Sequence, residues 1–157
     1  MLNIRRARAH DISDLTDILI LFHKYFADLD GEQQSVHRAA MTREIRDLAF
    51  NGRPLLYIYV ATENDKIVGA VSFYRGWTTD TSAMYHIPYL FMRPEYHGGR
   101  ATFALLNRVR DIAKKTNVHR LCFSVYGKNL PVIKLYEHIG AKYWADAEDE
   151  LFMFFDV

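Results

Sequence analysis

The chain has 157 residues, of which 50% are hydrophobic and 25% charged, so it is long enough for one domain with a substantial core. The formal net charge of +1 gives no global reason to expect nucleic acid or an anionic membrane as a partner. Aromatic residues reach 14%, a surplus that can serve the core or line a pocket.

The first half of the chain predicts a short strand, two helices and a hairpin. Residues 4–7 are typical of a strand, and apolar residues recur every three or four positions from Asp11 to Leu29, as on one face of a helix. A weaker stripe predicts a second helix from about Ser35 to Phe50. The β-rich runs "LLYIYVATEN" and "KIVGAVSFYRG" meet at a tight "ENDK" turn, which indicates a hairpin.

The second half predicts strands alternating with helices. A polar loop "TTDTS" precedes the strand "AMYHIPYLFM", and an amphipathic helix begins near Ala101. The buried strand "VHRLCFSVYG", a short helix from Asn129 and two closing strands follow. This order predicts an α/β (α+β) layer fold over residues 1–157, with a mostly antiparallel sheet of six to seven strands, about four helices and a late βαβ step.

Two adjacent glycines stand directly before the long helix, in "MRPEYHGGRATFALLNRVR". A helix N-terminus presents unpaired N–H groups and the positive end of the helix dipole, and glycines let an anion approach those groups closely. His97 and Arg100 add side-chain donors at the same place. The stretch therefore contains the components of a phosphate site, although paired glycines at such a turn are also compatible with a simple tight turn.

A second motif, "NLPVIKLYEHIGA", has the features of a short helix with defined ends. Asn129 is a good N-cap residue, Pro131 lies in the first turn, and Gly140 ends the helix. Tyr136 lies on the inner face of this helix, where an ordinary core tyrosine is the simplest interpretation.

With these motifs in place, nearly the whole chain resembles the GNAT superfamily, the GCN5-related N-acetyltransferases. "IRRARAHDISDL" is similar to the opening strand and helix of that family, and "VATENDKIVGAVSF" to its central hairpin with Gly69. "LFMRPEYHGG" followed by "FALL" resembles the acyl-CoA motif, and Asn129, Tyr136 and Gly140 match the late helix in spacing.

The acyl-CoA motif departs from the family pattern of Gln or Arg, two free positions, Gly, one free position, then Gly or Ala. Ungapped alignment puts His97 first and places Arg100 and Thr102 where glycines usually stand. A one-residue shift restores Gly99 and Ala101, but it displaces "FALL", so we prefer the ungapped alignment. The resemblance implies an acetyl-CoA site with these binding residues: Leu90, Phe91, Met92, His97, Gly98, Gly99, Arg100, Ala101, Thr102 and Asn129.

The resemblance also implies the chemistry, which is acetyl transfer from acetyl-CoA to a primary amine by direct attack in a ternary complex. The backbone from Leu90 to Met92 would hold the acetyl carbonyl and pantetheine, Asn129 would contact the pantetheine arm, and Tyr136 would protonate the leaving thiolate. A thiol has a pKa of about 8.5 and tyrosine one of about 10, so this proton transfer is expected to be only mildly uphill.

The general base implied by the alignment is His86, at a position where some family members carry glutamate. A histidine with a pKa near 6.5 can accept an amine proton directly or through water. A His86 that only hydrogen-bonds within the sheet is the competing interpretation, and the sequence does not choose between them. The remaining histidines lack metal-ligand spacing, so we expect no metal site.

The acceptor is expected to be a small-molecule or protein amine, contacted by Tyr25, Phe26, Tyr74 and Trp77. The acidic residues Asp28, Asp30 and Glu32 would suit a cationic amine, or they form a solvated turn. Two alternatives are a non-catalytic acyl-CoA-binding domain, motivated by Arg100 and Thr102, and a transferase acting on a nucleobase or nucleic-acid-attached amine.

The sequence also bears on location and assembly. The single cysteine, Cys122, excludes an internal disulfide and fits a reducing compartment. We expect no membrane span or signal peptide, and hence a cytoplasmic location. The closing strand "ELFMFF" could pair across a two-fold axis, which makes a homodimer compatible with the sequence.

Overall fold

The computed structural model describes residues 1–33, 35–79 and 82–157. Within these ranges the chain forms seven strands and four α-helices: β1 (Leu2–Arg6), α1 (Ile12–Asp30), α2 (Arg38–Ala49), β2 (Tyr57–Glu63), β3 (Lys66–Thr78), β4 (Ser82–Met92), α3 (Arg100–Lys115), β5 (Arg120–Tyr126), α4 (Leu130–His138), β6 (Lys142–Ala147) and β7 (Glu150–Asp156). The expected helices and strands are present, although α2 begins three residues later than its pattern predicted. The polar loop expected at 78–82 includes Asp80 and Thr81, which lie outside the described residues.

The strands form one sheet in the order β1-β2-β3-β4-β5-β7-β6. The pairs β1–β2, β5–β7 and β6–β7 are antiparallel, whereas β4 and β5 are parallel and are connected through α3. This topology confirms the predicted α+β fold with a mixed sheet and a late βαβ step. The β7 strand is paired on both sides, so the expected pairing of "ELFMFF" across a two-fold axis is wrong, because β7 has no free edge and β6 is the terminal strand.

The chain groups into two compact units. The first comprises Met1–Ser72 and Tyr89–Arg108, and the second comprises Phe73–Pro88 and Val109–Val157. The single domain expected over residues 1–157 stays a prediction. None of the helices in the described ranges is long and apolar enough to cross a membrane.

The core of the first unit lies between α1, α2 and the first strands. The apolar stripe of α1 buries Leu15 and Ile18, which join Ile45 of α2 and Val60 of β2 in one cluster. The helix ends at Gly31, whose φ of 69° is the left-handed conformation that favours glycine at a helix C-terminus.

A partly buried ion pair holds the start of α1 against β1. The Arg5 guanidinium donates to both carboxylate oxygens of Asp11, at 2.7 and 2.9 Å, and the Arg8 backbone N–H donates to the same carboxylate at 2.7 Å. Asp11 is only 3% exposed. The hydrogen bonds from Arg5 outweigh burial and hold the pKa of the Asp11 carboxyl below its usual range.

The predicted hairpin between β2 and β3 turns at Asn64 and Asp65. Both residues have positive φ, 50° and 62°, as the central residues of a type I′ turn require. Asparagine and aspartate tolerate this conformation better than other side chains, which explains the tight "ENDK" connection.

The core of the second unit is built on β5 and β7. Leu121 and Phe123 of β5 lie opposite Phe155 and Met153 of β7 in the antiparallel register, and all four side chains are buried. The Phe123 ring also stacks on Phe155 with 5.4 Å between centroids.

Candidate active site

In the first unit, Gly69 of β3 lies close to Phe91 and Met92 at the end of β4. A Cβ atom at this position would lie 2.2 Å from Sδ of Met92 and 3.1 Å from the backbone oxygen of Phe91. Only glycine allows this contact without a shift of β4, and Met92 is buried directly over it. The sequence marked Gly69 as part of the hairpin motif, and the structure shows that the absence of a Cβ there leaves room for the Met92 side chain and the Phe91 backbone of β4.

The turn after β4 is anchored to β3 by Arg93. Its backbone N–H donates to the Val68 oxygen and its Nε donates to the Ile67 oxygen, both at 2.8 Å. A 3₁₀ turn at Pro94–Tyr96 follows. The base of the loop that leads into α3 is therefore held by hydrogen bonds at a fixed place on the sheet.

The motif implied that the His97 side chain would donate a hydrogen bond to an anion, but in the structure it donates to the protein backbone. Its Nε2 lies 2.8 Å from the carbonyl oxygen of Met92. A carbonyl oxygen can only accept, so Nε2 carries the hydrogen. The ring also meets Phe91 and Tyr25 edge to face, with centroids 5.0 and 6.0 Å apart. His97 thus connects the loop to β4, and its Nε2 is not available to an anion.

The two glycines form the bend that precedes α3. Gly98 has a φ of 66°, and a Cβ on Gly99 would lie 3.3 Å from the Tyr96 oxygen. Within the described ranges, the backbone N–H groups of Gly98, Arg100 and Ala101 have no hydrogen-bond partner. Three unpaired donors at the N-terminus of a 16-residue helix form a cradle suited to an anion.

The side chains that replace the usual glycines point to different environments. Arg100, the first residue of α3, is exposed, whereas Thr102 is buried together with Ala101. The Thr102 N–H donates to the Gly99 oxygen at 3.2 Å. The helix begins at Arg100, as expected if the glycines belong to the turn, and the exposed guanidinium is not packed into the protein.

In the second unit, Tyr136 of α4 is 5% exposed and lies against Phe123, with 4.4 Å between ring centroids. Burial raises the pKa of Tyr136 well above 10. Proton donation to a thiolate is therefore more uphill in the free protein than the ordinary pKa values suggested. Asn129 is buried at the N-cap of the same helix, but its side chain makes no capping hydrogen bond there.

His86 of β4 makes a side-chain contact that the sequence did not reveal. Its Nε2 lies 3.0 Å from the hydroxyl oxygen of Ser124 on β5, and its ring lies against Tyr74 with centroids 5.2 Å apart. Burial lowers the pKa of the imidazole below its usual value. Ser124 was missed because the register of two parallel strands is not readable from either strand alone.

The residues expected to contact the acceptor are divided between the units. Tyr25 and Phe26 lie in α1 of the first unit, where their rings contact each other with centroids 5.7 Å apart. Tyr74 contacts His86 in the second unit, and Trp77 is 69% exposed. The acidic residues Asp28, Asp30 and Glu32 are exposed, but the first two lie in the last turn of α1 and only Glu32 lies beyond the helix. No group of three His, Cys, Asp or Glu side chains in the described ranges could hold a metal ion.

Comparisons with known proteins agree with this architecture. The sequence matches the model of the acetyltransferase (GNAT) family over residues 18–141, whereas no curated protein matches it. The structure is similar to the PaiA N-acetyltransferase from Thermoplasma acidophilum in complex with coenzyme A, with 15% identity, a TM-score of 0.78 and coverage of 100% of this chain and 99% of that chain.

Two further solved structures show the same fold. An acetyltransferase from Thermus thermophilus is 20% identical, with a TM-score of 0.78 and coverage of 100% of this chain and 97% of that chain. A predicted acetyltransferase from Clostridium acetobutylicum, solved with acetyl-CoA, is 24% identical, with a TM-score of 0.68 and coverage of 95% of this chain and 93% of that chain.

Proposed function

Because the chain belongs to the GNAT family of acetyltransferases, we propose that it transfers an acetyl group from acetyl-CoA to a primary amine by direct attack in a ternary complex. The observation that carries this proposal is the cradle between β4 and α3, with Gly98 at positive φ and unpaired N–H groups on Gly98, Arg100 and Ala101. These donors and the positive end of the helix dipole suit the pyrophosphate of a coenzyme A.

The rest of the donor would lie along β4. The backbone from Leu90 to Met92 would hold the pantetheine and the thioester carbonyl, and Asn129 would contact the pantetheine arm. Support for acetyl-CoA as the co-substrate comes from two proteins of the same fold, one solved with coenzyme A and the other with acetyl-CoA. Arg100, exposed at the start of the helix, would add a charge-assisted contact to the phosphates.

The transfer would proceed through one tetrahedral intermediate. The amine nitrogen attacks the thioester carbon, the C–S bond breaks, and the thiolate takes the hydroxyl proton of Tyr136. The raised pKa of Tyr136 keeps its hydroxyl protonated at neutral pH, so the group is available as an acid when the thiolate forms. The lowered pKa of His86 keeps its imidazole neutral at the same pH, so His86 is able to accept the proton of the amine.

Calorimetric titration with acetyl-CoA and with coenzyme A tests the proposal without knowledge of the acceptor. We expect micromolar binding that is weakened by Arg100→Glu, which reverses the charge at the cradle. Failure to bind either compound up to millimolar concentration would refute the proposal.

Turnover is then measured as thiol release with a panel of primary amines. We expect Tyr136→Phe to lower kcat by about 10²-fold or more, the usual contribution of general acid catalysis. The matched control is Tyr143→Phe, which removes an exposed hydroxyl that donates to Glu137 in the same unit. Tight binding without turnover would favour a non-catalytic acyl-CoA-binding domain, for which Arg100 and Thr102 in the motif are the motivating observation.

A further inference from the structure

The contact between His86 and Ser124 arises from the parallel register of β4 and β5. His86 lies opposite Cys122, and Ser124 is two residues further along β5, so both β5 side chains project from the same face of the sheet. The distance of 3.0 Å between His86 Nε2 and Ser124 Oγ is that of a hydrogen bond. On the other side, the Tyr74 ring lies against the imidazole at a tilt of 36°. The imidazole is therefore fixed by partners on both neighbouring strands.

The direction of this hydrogen bond decides whether His86 has a basic nitrogen to offer. If Nδ1 carries the hydrogen, the lone pair of Nε2 is occupied by the serine hydroxyl and His86 has no free acceptor. If Nε2 carries the hydrogen, it donates to Ser124 Oγ and the lone pair of Nδ1 remains available. Only the second tautomer can accept a proton from an amine.

We propose that Ser124 is a positioning residue that accepts a hydrogen bond from Nε2 of His86 and so directs the basic Nδ1 nitrogen toward the acceptor amine. This inference rests on the proposed function, in which His86 is the base. In the transfer step the amine proton moves to Nδ1, which makes the ring an imidazolium, and Nε2–H stays bonded to Ser124 Oγ throughout. The serine oxygen then stabilises the charged ring as well as the neutral one.

Two other side chains of the described residues lie near His86 on the neighbouring strands. Tyr74 of β3 contacts the ring, and Cys122 of β5 lies opposite it with a thiol whose pKa burial raises to about 11. Burial is the cause of the lowered pKa of His86. Among the described groups of this unit, the Ser124 hydroxyl is the hydrogen-bond partner of the imidazole, so its removal should change the tautomer.

Nitrogen-15 NMR of the free protein tests the tautomer directly, with His86→Gln used to assign the signals. We expect Nε2 to be protonated and Nδ1 to be unprotonated above the pKa of His86. Ser124→Ala should mix the two tautomers and lower the pKa further, because the imidazolium loses its acceptor, and Ser124→Thr should restore the wild-type spectrum. A wild-type ring protonated on Nδ1, or a Ser124→Ala spectrum identical to wild type, would overturn the inference.

A kinetic experiment tests the same inference, with any amine that supports turnover as the acceptor. Ser124→Ala should lower kcat/KM about tenfold, the effect of one lost hydrogen bond, and should shift the acidic limb of the pH profile to lower pH. Ser124→Thr should recover both. A loss of kcat/KM with an unmoved acidic limb would mean a structural role only and would overturn the inference. If the tautomer depends on Ser124 as expected but no amine is acetylated, the proposed function fails while the positioning of the ring stands.

Discussion

We expect that Gly69→Ala both destabilises the protein and weakens the binding of acetyl-CoA. The added Cβ would lie 2.2 and 2.5 Å from the Sδ and Cε atoms of Met92, which can move, and 3.1 Å from the Phe91 oxygen, which belongs to the β4 backbone. To avoid the added Cβ, the Met92 side chain would have to leave its buried position. To relieve the contact with the Phe91 oxygen, the β4 backbone would have to shift. Overpacking of this kind costs about 1–3 kcal/mol. For a chain of this size, about 2 kcal/mol corresponds to a decrease in Tm of roughly 4–8 °C.

The assay is thermal unfolding followed by titration with acetyl-CoA. Gly52→Ala is the matched control, because its Cβ would have nothing within 4 Å and its φ is not in the left-handed region. We further expect that the destabilising effects of Gly69→Ala and Met92→Ala are not additive, since removal of the Met92 side chain relieves most of the crowding. A Gly69→Ala protein with the Tm and the affinity of the Gly52→Ala control would refute the claim that β4 needs the room left by this glycine.

Three other predictions each rest on one local feature of the structure. Gly98→Ala places alanine at a φ of 66°, which costs about 1–2 kcal/mol, and calorimetry should show weaker acetyl-CoA binding than for Gly52→Ala. Asp11→Asn removes the charge that Arg5 stabilises, and the free energy of unfolding should fall by about 1–2 kcal/mol at pH 7. The pKa of Asp11 is lowered in the folded state, so its stabilisation is present above pH ~4 and is lost as pH falls through the folded pKa; urea unfolding of the two proteins should therefore converge at acidic pH. Burial raises the pKa of Cys122 to about 11, and its thiol should resist alkylation at pH 7.5 until the protein is unfolded, as intact mass would show.

The elements of this fold could be predicted because each is specified by its own local pattern. The stripe of α1 and the turn residues Asn64 and Asp65 carry their information within a few positions of sequence. The predicted start of α2 was less accurate, because the residue directly before the helix, His37, is a weak N-cap and makes no capping hydrogen bond. The local sequence therefore predicted the type of each element more accurately than the residue at which the element begins or ends.

The candidate site was harder to predict, because its decisive contacts join residues that are distant in sequence or are set by backbone geometry. The hydrogen bond between His86 and Ser124 spans 38 residues and depends on the parallel register of two strands. The contact of His97 with the Met92 carbonyl spans only five residues, but it requires the path of the intervening turn to be known. In both cases the sequence named the histidine as a candidate site residue, but it did not reveal the partner.

The cradle differs from the family motif in its side chains, whereas the backbone N–H groups that would donate to an anion are still present. An anion at this place would be bound mainly by backbone N–H groups, which every residue except proline carries. Arg100 is able to occupy a position usually held by glycine because it is the first residue of α3 and its side chain lies outside the packed interior. Gly98 retains the conformation that glycine alone adopts without strain. The one glycine that the backbone needs is thus still present, one position after His97, and the added guanidinium makes the charge at the helix start more favourable for phosphate.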